Sequence, residues 1–173
     1  MLEGRVVSWQ RAQVYERYEP PSDFLKGIIA EEVTLADGPL AQANLNLLIE
    51  LTRDADRANR DWATMLLSQE GGDTPAVRAV LLVAARDEDA VIRAEAALGL
   101  ASRDPGLALP FVQEALRGNT ITPPMLEAAA LCAHPSLIED LRVWAEPSDN
   151  AFADKLAADA LAACLRAEPR ANL

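Results

Sequence analysis

Asp87-Glu-Asp-Ala-Val-Ile-Arg-Ala-Glu-Ala-Ala-Leu-Gly-Leu100 repeats in type an earlier stretch, Asp54-Ala-Asp-Arg-Ala-Asn-Arg-Asp-Trp-Ala-Thr-Met-Leu-Leu67. Asp54 and Asp87, Asp56 and Asp89, Arg60 and Arg93, Ala63 and Ala96, and Leu67 and Leu100 each stand 33 apart (87 − 54 = 33). A fixed period in that range marks stacked helical hairpins, in which no unit buries its apolar face alone.

Proline supplies a second ruler. Pro75, Pro105 and Pro135 are 30 apart and follow Thr74, Asp104 and His134. Proline suits the first position of a helix, where its missing N–H has no partner in any case. The residues after each one therefore read as a first helix, A, over 76–86, 106–117 and 136–146. The second helix, B, opens on Asp56, Asp89 and Thr122, spaced 33 and 33, all residues that cap helix N-termini well. Together the rulers give four hairpins, at about 39–73, 75–103, 105–133 and 135–167. Pro39 should open the first A helix, and Asn150 or Asp149 should cap a last B helix over 151–166.

The expected organisation is thus an N-terminal helical cap over 1–37, repeats over 38–167 and a frayed tail over 168–173. Within the cap, Phe24, Leu25, Ile28 and Ile29 have helical spacing and predict a helix over 22–33, which Glu19-Pro-Pro-Ser22 separates from 6–18. Such a cap would cover the open end of a stack.

Composition agrees with helices. Of 173 residues, 50% are hydrophobic but only 5% aromatic, so Ala, Leu and Val must fill the core, which suits closely packed helices better than strands. No apolar run nears the roughly 20 residues that span a bilayer, and the first residues lack a signal-peptide apolar region. Two cysteines, Cys132 and Cys164, make no disulfide framework. A cytoplasmic protein is expected. The formal net charge of −11 opposes association with nucleic acid or anionic membrane and is compatible with a basic partner.

Asp89-Ala-Val-Ile-Arg-Ala-Glu-Ala-Ala-Leu-Gly-Leu100 resembles the HEAT-repeat pattern, and Arg60-Asp-Trp-Ala-Thr-Met-Leu66 resembles the second helix of bacterial HEAT-repeat-domain proteins. The resemblance extends over about 39–167. It implies an all-α fold, a right-handed α-solenoid of about four HEAT-like helical hairpins with an N-terminal helical cap. It also implies an arginine–aspartate ladder between repeats. Leu126 replaces arginine in the third repeat, so two rungs at most are expected.

Aligned on their caps, the B helices match Ala63 with Ala96 and Ala129, and Leu66 with Gly99 and Cys132. Small residues at these positions let helices approach closely. The resemblance places the opposite side of helix B on a concave surface. There the matched positions are Trp62, Glu95 and Ala128; Met65, Leu98 and Leu131; and Asp61, Ala94 and Glu127. The candidate partner-binding site is a stripe of Trp62, Met65, Leu98 and Leu131 bordered by Asp61, Glu95 and Glu127. An apolar seam with acidic edges fits a protein or peptide bearing basic residues. A second reading stays open for each group. The three aliphatic residues can pack on one another, Trp62 can lie under the N-terminal cap, and the carboxylates can form an ordinary solvated face.

Signatures of catalysis are missing. The one histidine, His134, precedes Pro135 at a repeat junction, where it suits capping. One imidazole does not make the ligand set of a di-iron site. No CxxC, HExxH, GxSxG or Gly-rich phosphate loop occurs, and Gly71-Gly72 reads as a turn. No catalytic residue, metal site or cofactor is assigned. The expected function is a non-enzymatic protein- or peptide-binding scaffold. The alternatives are a HEAT-like enzyme, resembling the bilin lyases or the alkylpurine DNA glycosylases, or a purely structural assembly module. Net charge argues against the glycosylase.

Overall fold

The computed structural model describes residues 19–167; the expectations for 6–18 and for the tail over 168–173 lie outside them. Among the described residues all regular structure is helical, and helical hairpins stack one on the next. A short helix, α1 (Asp23–Ile29), precedes the stack. The A helices are α2 (Ala41–Leu51), α4 (Pro75–Ala84), α6 (Pro105–Leu116) and α8 (Ile138–Trp144). The B helices are α3 (Arg57–Glu70), α5 (Ala90–Ala101), α7 (Pro123–Cys132) and α9 (Ala151–Ala167). Each B helix packs along the next, α3 on α5, α5 on α7 and α7 on α9, while each A helix covers its own B helix.

The caps explain why the helices begin where they do. Asp56 accepts the N–H groups of Ala58 and Asn59, and Asp89 those of Val91 and Ile92. Thr74 and Asp104 cap α4 and α6 ahead of Pro75 and Pro105. Asn150 takes the last B helix, accepting from Ala153 N–H at 3.1 Å. His134 also caps, its Nδ1 accepting from Ser136 N–H at 3.2 Å. After it Pro135–Leu137 forms a 3-10 turn, so the fourth A helix is divided and its α-helical part begins only at Ile138.

Thr122 behaves differently from its equivalents. Its side chain makes no capping bond, and its Oγ1 is buried without a partner. The cause is local: Pro124 sits where the second helical N–H should be, and Met125 N–H bonds to the Thr122 carbonyl instead.

Two helix boundaries differ from expectation. The helix expected over 22–33 stops at Ile29, because Glu31 takes a left-handed φ of 60° and the chain folds back. Val33 N–H then bonds to the Gly27 carbonyl, and a Cβ at Gly27 would stand 2.9 Å from Val33 Cγ2. The first A helix starts at Ala41, not at Pro39, after Gly38 with φ 96° and without a side-chain cap.

The core is made of small and aliphatic groups, with Ala63, Ala96, Ala97, Ala128 and Ala129 fully buried. Close approach is most evident between α3 and α5. Ser68 Oγ donates to the Glu95 carbonyl at 2.8 Å, and a Cβ on Gly99 would meet the Ser68 Cβ at 2.7 Å and Cα at 3.0 Å. Two long side chains lock successive hairpins. Arg103 donates to the carbonyls of Leu67, Ser68, Gly72 and Gly99, which satisfies the C-terminal end of α3. Trp144, 2% exposed, donates its indole N–H to the Leu116 carbonyl at 2.8 Å.

Of the two possible arginine rungs, one forms across repeats. Arg60 Nε meets Asp87 Oδ2 at 3.1 Å and its Nη2 meets Glu88 Oε1 at 3.3 Å. Arg93 reaches only the carbonyls of Asp87 and Glu88 in its own repeat.

Candidate functional site

The seven candidate residues lie on the B helices, but they do not form one exposed stripe with acidic edges. Asp61 is 5% exposed and Glu95 4% exposed, so neither is a rim residue or part of a solvated face. The reason is their place on the helix. Asp61, Thr64 and Ser68 share one face of α3, and Glu95 and Gly99 share one face of α5; the Ser68–Glu95 and Ser68–Gly99 contacts bring those faces together. Asp61 and Glu95 therefore lie along the α3–α5 seam. Thr64, between Asp61 and Ser68, is fully buried with its hydroxyl unpartnered.

Glu127 does reach solvent. The aliphatic row Met65, Leu98 and Leu131 is graded: the first two are half-buried, Leu98 packing against the core, while Leu131 is 48% exposed. Trp62 is half-buried and packs against the core.

Trp62 and Met65 also line a cavity of about 490 Å³ with α1 and the link that follows it. Ile28, Val33 and Leu35 supply apolar wall, and Glu31 and Glu70 supply the charge. Both of these carboxylates are exposed, and neither forms an ion pair. The arrangement is a half-open apolar seat with two free negative groups at its margin. The positions that sequence reasoning missed are thus Glu31 and Glu70. Glu70 ends the helix that carries Trp62, one turn and a residue beyond Met65, which is a readable signal. Glu31 has none, because it reaches the site only through the left-handed turn after α1.

Among the described residues, the shifted titratable groups elsewhere have structural causes. Burial, with the neighbouring Cys164, pushes the Cys132 thiol up to about 11, and burial also raises Cys164. Neither sulfur is poised as a nucleophile at neutral pH. For Asp89, burial opposes ionisation, but the bond from Arg57 and the amides of Val91 and Ile92 outweigh it and hold the carboxyl below its ordinary range. That group is structural, a cap with an inter-repeat ion pair. Among the described residues no group of three or more His, Cys, Asp or Glu is placed to hold a metal ion, and no helix is long and apolar enough to cross a membrane.

No family model matches the chain, and comparison with the curated proteins finds no match. Among solved structures the chain is similar to the X-ray structure of Escherichia coli YibA, a target of the Northeast Structural Genomics Consortium, with a TM-score of 0.58 and 23% sequence identity. The match covers 79% of this chain and 54% of that one, so the chain spans about half of YibA's length. At this identity the likeness bears on the fold alone.

Proposed function

We propose that this chain is a HEAT-repeat-like, non-enzymatic scaffold that binds a protein or peptide segment carrying an apolar side chain next to a lysine or arginine. The observation that carries the reading is the cavity at Trp62. An apolar side chain seated against Trp62, Met65 and Val33 would lose water on most sides, and a cation beside it would meet Glu31 and Glu70. Tryptophan is among the residues that most often dominate binding energy, and unpaired carboxylates at a margin supply charge selection and faster encounter more than raw affinity.

The row Met65, Leu98 and Leu131 extends the surface along consecutive B helices, with Glu127 beside its exposed end. The arginines near the N-terminal ends of α3, Arg57 and Arg60, are engaged by Asp89, Asp87 and Glu88, which speaks against a phosphate-binding strip. Two free cysteines suit a reducing compartment, and we place the protein in the cytoplasm.

The test is selection from a displayed library of random peptides, followed by titration of the enriched sequence. The reading expects an apolar–basic pair in the enriched peptides. Trp62→Ala should weaken binding by about 2 kcal/mol; because Trp62 packs against the core, it should also lower the thermal transition, so binding is measured well below the variant's own Tm. Glu31→Gln with Glu70→Gln should remove the salt dependence of binding. Enrichment of acidic peptides, or binding indifferent to Trp62→Ala, would overturn it.

A further inference from the structure

A second cavity, of about 870 Å³, opens between the end of α4, the length of α6 and the starts of α5 and α7, away from Trp62. Its size falls within the range of small-molecule sites. Arg93, Arg86 and Thr122 line it together with the apolar Leu107, Phe111 and Met125.

Arg93 is informative because the same protein shows what its equivalent does one repeat earlier. Arg60 uses Nη1 to hold the carbonyls of Asp54 and Ala55. Its other edge, Nε and Nη2, then points at Asp87 and Glu88 of the next repeat. Arg93 repeats the first half of that arrangement, with Nη1 on the carbonyls of Asp87 and Glu88 at 2.8 and 2.9 Å. The residues 33 beyond Asp87 and Glu88 are Thr120 and Ile121, which have no carboxylate. Both line this cavity. The edge of Arg93 that would grip a carboxylate therefore finds none among the described residues.

One further observation converges on the same space. Arg86 lies over the Phe111 ring at 5.0 Å and donates to the Leu82 carbonyl, with no carboxylate partner among the described residues. Thr122 also lines the cavity, but its unpartnered hydroxyl is enclosed by protein atoms and does not open onto it. The acids that line the cavity are Asp87, already held by Arg60, and Glu114, which is exposed. The charges of the lining thus balance in a chain of net charge −11, and neither arginine has a carboxylate partner among the described residues.

We propose that this cavity binds a carboxylate carried on an apolar body, the ligand completing the rung that Thr120 and Ile121 leave open. A carboxylate matches the planar fork of a guanidinium and takes two parallel N–H bonds. The apolar body would lie against Phe111, Leu107 and Met125. A small carboxylic acid and the C-terminus of a peptide offer the same chemistry. Neither uses the Trp62 cavity, so this site stands or falls independently of it.

The experiment titrates the full chain, followed by amide and arginine side-chain NMR, with three probes: phenylacetate, its neutral analogue phenylacetamide, and acetyl-Ala-Phe with a free C-terminal carboxylate. At least one acid should give saturable shifts at Ile121, Phe111 and the Arg93 Nε–H, and the amide should not; whichever acid binds tighter identifies the source. Thr120→Asp restores a carboxylate at the rung and should weaken the acid by about tenfold or more while keeping the native helical spectrum. Arg93→Gln should weaken it similarly. Equal shifts from acid and amide, no saturable shift from either acid at millimolar concentration, or unchanged binding in Thr120→Asp would overturn the assignment.

Discussion

Replacing Gly99 by alanine should destabilise this protein, although the same change in an ordinary helix interior stabilises by about 1 kcal/mol. Gly99 lies in α5 where that helix crosses α3. A Cβ there would meet the Ser68 hydroxyl, and would stand 2.7 Å from the Ser68 Cβ and 3.0 Å from its Cα. The hydroxyl can rotate away only by giving up its 2.8 Å bond to the Glu95 carbonyl, at a cost of about 1 kcal/mol. The Cβ and Cα cannot move without parting the two helices, and overpacking of that kind costs roughly 1–3 kcal/mol. After the propensity gain is subtracted, a net loss of about 1–3 kcal/mol remains. Denaturant unfolding followed by circular dichroism measures it, and each kcal/mol should lower Tm by roughly 2–4 °C at this chain length. Ser68→Gly provides the internal control, since it removes both the hydroxyl and the Cβ. In that background Gly99→Ala should cost clearly less, with a coupling of about 1–2 kcal/mol. An increase in stability for Gly99→Ala alone, or strict additivity with Ser68→Gly, would refute the close approach of α3 and α5.

Arg103→Ala should destabilise by about 2–3 kcal/mol, because four carbonyls of α3, α5 and their turns lose a charged donor; calorimetry of the pair with wild type checks this. Two of the three equivalent caps should respond unequally: Asp89→Ala should cost about 1 kcal/mol, whereas Thr122→Ala should change stability little, since its hydroxyl caps nothing. The folded-state pKa of Asp89 is depressed, so its contribution is fully present above the ordinary carboxyl value and is lost as pH falls through the folded value. Acid titrations of wild type and Asp89→Asn should therefore diverge above about pH 4 and converge below it. With its thiol at about 11, native Cys132 should react slowly with iodoacetamide at pH 8, and denaturant should release both thiols to rapid alkylation; fast native labelling would contradict the burial.

The hairpins were legible in the sequence because their signals are local. Asp56, Asp89, Thr74 and Asp104 cap through atoms two or three residues away, and Pro75 and Pro105 act on their own backbone, so spacing alone located most helices. Spacing failed where one neighbour alters another. Thr122 matches Asp89 in register, but Pro124 takes away the N–H it needs. Glu31 ends α1 early through a backbone conformation that its residue type rarely adopts.

Residue order alone implies an all-helical chain of repeated hairpins, with alanine and glycine placed where helices must approach. Which side of each B helix is covered depends on the folded neighbours. A 33-residue period equates Trp62 with Glu95 and Asp61 with Ala94, yet burial depends on the particular neighbour each position meets, and the seam between α3 and α5 takes in Asp61 and Glu95 while Leu131 stays open. The two cavities have the same origin. Each is bounded by residues from at least two helices and the links between them, and the register that sets Thr120 and Ile121 against Arg93 becomes an open space only when the neighbouring repeat is folded against it.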